Sequence, residues 1–96
     1  MTDAEKFEQK PNKPLFIFRI ATQYMDEYTS DFFNVGIEAE DLQHALKIVE
    51  HKYGPYTEIA YIEDDDGYVY EEVIGGQRFT MSLLTFKKRL QLGIIK

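Results

Sequence analysis

The sequence predicts an α+β fold. An antiparallel sheet of four to five strands carries one helix (42–53) packed on a face, with a second helix (81–91) at the C-terminal end, in the order ββαββ(β)α. Three observations predict it. Apolar and polar residues alternate over 32–39, the period of a half-buried strand. Leu42, Ala45, Leu46, Val49 and Tyr53 recur at helical spacing. Glycine-bearing turns at 64–67 and 75–76 separate short runs rich in tyrosine, valine and isoleucine.

The elements follow in chain order. Residues 1–13 lack periodicity and end in Lys-Pro-Asn-Lys before Pro14, so they read as a flexible lead-in to a single domain over 14–96. Residues 15–22 form a strand with apolar groups on both faces. Phe16, Phe18 and Ile20 point one way and Leu15, Ile17, Arg19 and Ala21 the other, as in an interior strand covered on both sides. Residues 23–31 are a polar connection. In 32–39, Phe33, Val35, Ile37 and Ala39 face inward. Asp41 is suited to cap the helix over 42–53, and Gly54-Pro55 ends it. Residues 56–63 and 68–74 are two further strands, and 77–80 is a candidate short returning strand. The last helix puts Leu83, Phe86 and Leu90 on one side, with Thr80 or Ser82 as its cap and Gly93 as its end.

Ninety-six residues make one domain with a small core. The absence of cysteine excludes disulfides, thiolate catalysis and cysteine–metal sites. The polar N-terminus lacks a secretory pattern, and the apolar runs fall short of the ~18 residues of a membrane span. A cytoplasmic protein without membrane attachment or cofactor is expected.

Charge is unevenly spread. Residues 20–76 hold fourteen acids against two bases, Lys47 and Lys52, whereas residues 77–96 hold five bases and no acid. Such asymmetry points to a charged partner. Its densest part is Glu63-Asp64-Asp65-Asp66-Gly67. An EF-hand alignment with Gly67 at position 6 places Ile62 and Val73 where oxygen ligands are required, so the calcium motif fails. A four-residue loop over 64–67 pairs Glu63 with Tyr68, Ile62 with Val69 and Tyr61 with Tyr70. A two-residue Asp66-Gly67 turn would set Ile62 against Glu71. The stretch therefore reads as a hairpin tip with the longer loop.

His44 and His51 lie seven residues apart on the solvent side of the first helix, with Ile48 between them. A zinc site there would need a third ligand from elsewhere. Gly-x-Ser-x-Gly, Walker and dinucleotide-binding motifs are absent. The basic run Lys87-Lys88-Arg89 suits a helix C-terminus, and the acidic body disfavours direct nucleic-acid binding.

These readings converge on a small non-enzymatic protein-binding module. Its partner is a protein with a basic surface, or a second copy in a homodimer paired through the sheet. Glu38, Glu63, Asp64, Asp65 and Asp66, with Tyr68, Tyr70, Glu71 and Glu72, form the expected contact surface. One alternative is a nucleic-acid-mimicking inhibitor, which would add Asp26, Glu27 and Asp31 to the acidic row. The other is a small enzyme using carboxylates or His44 and His51.

Overall fold

The computed structural model describes residues 13–21 and 32–95. The lead-in expected over 1–13, apart from Lys13, and the connection 23–31 lie outside the described residues, as do Asp26, Glu27 and Asp31.

β-branched and aromatic residues dominate the first two strands, β1 (Leu15–Ala21) and β2 (Phe32–Glu38), which pair antiparallel from Leu15 opposite Glu38 to Ala21 opposite Phe32. Helix α1 (Leu42–Tyr53) follows after three residues. Its cap is Asp41, whose Oδ1 accepts the His44 N–H at 2.8 Å. An N-cap of this kind contributes about 1 kcal/mol. The imidazole Nδ1 of His44 accepts in turn from the Glu40 N–H at 3.0 Å, so two backbone donors at the helix start are satisfied reciprocally. Gly54 closes the helix at φ 94°, a conformation that disfavours side chains, and its N–H reaches the Glu50 carbonyl.

The chain returns as β3 (Glu58–Glu63), which lies on the other side of β1. β1 is thus the interior strand of a sheet ordered β2-β1-β3-β4. Ile20 pairs with Ile59 and Arg19 with Tyr61, so Ala60 is an extra residue in β3. This bulge lets Ile59 and Ile62, three positions apart, both enter the core; an unbroken strand would put them on opposite faces.

Two corrections concern the next segment. The strand expected over 68–74 is broken at Glu71. β4 (Val69–Tyr70) stays on β3, whereas β5 (Glu72–Ile74) leaves to pair with β6 (Gln77–Phe79) in a separate two-stranded hairpin around Gly75-Gly76. The register of the acidic hairpin also differs by one residue. Ile62 faces Tyr70 and Glu63 faces Val69. The Asp64 N–H bonds the Tyr68 carbonyl at 2.8 Å, leaving a three-residue loop, Asp65-Asp66-Gly67, with Gly67 at φ 85°.

The final helix starts two residues later than expected. Met81–Ser82 forms β7, paired with the Glu58–Ile59 end of β3, and α2 (Leu83–Gln91) begins behind it with Ser82 as cap. Both helices contribute to a core on one side of the sheet. Phe16, Phe18, Ile20, Ile59 and Ile62 from the strands meet Ala45, Leu46 and Val49 of α1 and Leu83 and Phe86 of α2. The opposite face is less covered. Leu15 is 40% exposed, and Tyr61 lies under the Arg78 guanidinium at 4.7 Å. The expectation of cover on both sides of β1 is met fully at the helix face and in part on the other, where Ala21 is buried and Ile17 and Arg19 are half-buried. No helix among the described residues is long and apolar enough to cross a membrane.

Candidate functional site

The hairpin tip is built by Asp64. Its Oδ1 accepts the N–H groups of Asp66 (3.0 Å) and Tyr68 (2.9 Å), a side-chain imitation of a backbone turn. Its Oδ2 meets the Tyr70 hydroxyl at a long 3.4 Å. Asp65 accepts the N–H of Leu15 at 3.2 Å and fastens the tip to the start of β1. Asp66 projects into solvent. The Tyr68 and Tyr70 rings meet edge to face, with centroids 4.8 Å apart.

The same geometry brings the tip beside the start of α1. Asp64, Asp65 and Asp66 on one side and Glu40 and Asp41 on the other border a cleft of about 400 Å³, whose apolar lining is Pro14, Phe16, Leu42 and Tyr70. Burial, then the negative charge and hydrogen bond of Asp64, then the neighbouring Tyr68 and Asp66 raise the Tyr70 phenol above its ordinary value of 10.0. The folded state thus holds this proton more tightly than the unfolded chain. The resulting stabilisation is complete below pH 10 and is lost as pH rises through the folded value. Tyr70→Phe is expected to remove that part of the alkaline loss of stability, as read by denaturant titrations on either side of pH 10.

No family model, curated protein or solved structure matches the chain. The site therefore stands on its own geometry.

The remaining residues of the expected surface are divided. Glu71 accepts the Arg78 Nε at 2.6 Å. Glu72, with an 11% exposed side chain, accepts a two-pronged contact from Arg89, one prong donated by Nε and the other by Nη2 at 2.7 Å. The hydrogen bond to Glu72 raises the Arg89 guanidinium above its ordinary value, against the lowering effect of burial. Lys87 binds Glu50 at 2.7 Å and ties α2 to α1. Three of the five C-terminal bases thus face acids of the same chain, and part of the charge asymmetry is internal complementarity. Glu71 and Glu72 lie beyond β4, off the tip, and are engaged by arginines of the same chain. Glu38 is exposed at the end of β2, and Glu63 is half-buried at the end of β3; neither has a cationic partner among the described residues.

Glu40 and Asp41 were not among the expected contact residues. Asp41 is recognisable in sequence as a cap, but its nearness to residue 64 depends on how α1 crosses the sheet. His44 and His51 lie on the outer face of α1 as expected, with Lys47, Ile48 and Lys52 around them. Ile48 is only half-exposed and packs against the core, so it is less outward than its spacing suggests. Among the described residues no group of three or more His, Asp or Glu side chains is placed to hold a metal ion.

Proposed function

We propose that this chain is a small non-enzymatic binding module of the cytoplasm, and that its acidic cleft receives a lysine or arginine side chain from a basic protein partner. The observation that carries the reading is the joining of five carboxylates with an apolar lining between the hairpin tip and the start of α1. A long cationic side chain has both characters: its methylene stem lies on Phe16, Leu42 and Tyr70, and its charged head meets Asp65 and Asp66, since Glu40 already pairs with Lys13 at 3.3 Å. The internal pairing of Glu71 and Glu72 shortens the row of carboxylates that a nucleic-acid mimic would present, so that alternative ranks second.

A lysine- and arginine-rich peptide titrated against the protein tests the proposal. Affinity is expected to fall at least about tenfold between low salt and ~1 M salt, where screening reaches ~3 Å. The double variant Asp65→Asn, Asp66→Asn keeps the turn's acceptors, removes two charges and is expected to weaken binding at low salt. Binding that is indifferent to salt and to these substitutions would contradict the proposal.

A further inference from the structure

We infer that a partner of the acidic tip is a second copy of this chain, docked through the outer face of α1; the inference rests on the acidic-cleft reading above. Lys47 and Lys52 are the only bases between residues 20 and 76, and both are exposed on α1. They flank Ile48 between His44 and His51, and together these side chains form a shallow cleft of about 580 Å³. Neither lysine has a carboxylate partner among the described residues, whereas Lys87, Arg78 and Arg89 do. The complement is on the same molecule: Asp65 and Asp66 are exposed, and Tyr68 beside them is 48% exposed, an apolar ring able to lie against Ile48.

The two patches adjoin. His44 bonds the N–H of Glu40, and Glu40 borders the tip's cleft, so the basic face of α1 begins where the acidic cleft ends. Side-by-side patches of opposite sign are the layout that a two-fold axis uses. Each tip then meets the partner's α1, and one contact is made twice. Opposite signs also speed the encounter and select the antiparallel arrangement over tip against tip.

Sedimentation of the full chain tests this. Dimer is expected at low salt and monomer at ~1 M salt. Lys47→Glu with Lys52→Glu is expected to raise the dimer dissociation constant at least about tenfold while leaving binding of the basic peptide intact. Asp65→Lys with Asp66→Lys is expected to prevent self-association too. Mixing these two variants restores a dimer, because each tip again faces an opposite charge on α1. A wild-type chain that stays monomeric yet binds peptide overturns the second-copy inference and leaves the acidic-cleft reading standing. A monomer that binds no peptide overturns both. Self-association unchanged by Lys47→Glu with Lys52→Glu overturns the docking face assigned to α1.

Discussion

Phe18→Ala is expected to cost about 3–5 kcal/mol, the range for removing a buried aromatic ring. Phe18 has no exposed surface and sits mid-strand on β1, opposite Val35 of β2 and Ile62 of β3. The loss combines the transfer of the ring's apolar atoms with the cavity left between sheet and helices. A small domain has only about 5–15 kcal/mol in hand, so much of its stability disappears. Phe33→Ala is the internal control. Phe33 lies on the same sheet face but is 38% exposed, and its ring touches Tyr53 at the margin of the core. Denaturant unfolding of the two variants checks the contrast. Equal losses would mean that the core is not centred on β1.

The second large effect is local. Glu72→Ala is expected to release the β5–β6 hairpin while β1 and β3 stay folded. Two-stranded hairpins are marginal in water by themselves, and this one exposes Val73, Ile74 and Phe79. Its hold on the body includes Glu72 to Arg89 on α2, and Arg78 to Glu71 and the Tyr61 ring. Without Glu72, the Arg89 guanidinium loses its two-pronged acceptor and the hairpin its link to α2. Hydrogen exchange should show protection at Val73–Phe79 falling at least about tenfold, with protection of the central strands nearly unchanged. A uniform loss across the sheet would show instead that the hairpin folds as one unit with the main sheet.

What could be read in the sequence was local. Helix α1 was legible at both ends because Asp41, the apolar stripe and Gly54 each act within a turn or two of the chain. The faces of β1 and β2 were legible because strand alternation needs no knowledge of the partner. The tip's register was missed by one residue. The Asp64 carboxylate closes the loop on Asp66 and Tyr68, an option that apolar pairing alone does not reveal. The break at Glu71 was missed because β4 and β5 differ in partner, not in composition. The ion pairs of Glu72 with Arg89 and Glu50 with Lys87 join residues 17 and 37 positions apart. The sequence shows their charges but not their pairing. The tip acids were similarly visible, whereas the contribution of Pro14, Phe16, Glu40 and Asp41 to the same cleft required the packing of α1 on the sheet.

The most direct measurement maps a lysine- and arginine-rich peptide onto the protein by backbone amide chemical shifts. The cleft account predicts that shifts concentrate at residues 40–42 and 64–68, diminish with salt, and spare Glu71, Glu72 and the β5–β6 hairpin. Shifts centred on that hairpin, or spread evenly over every exposed acid, would contradict it.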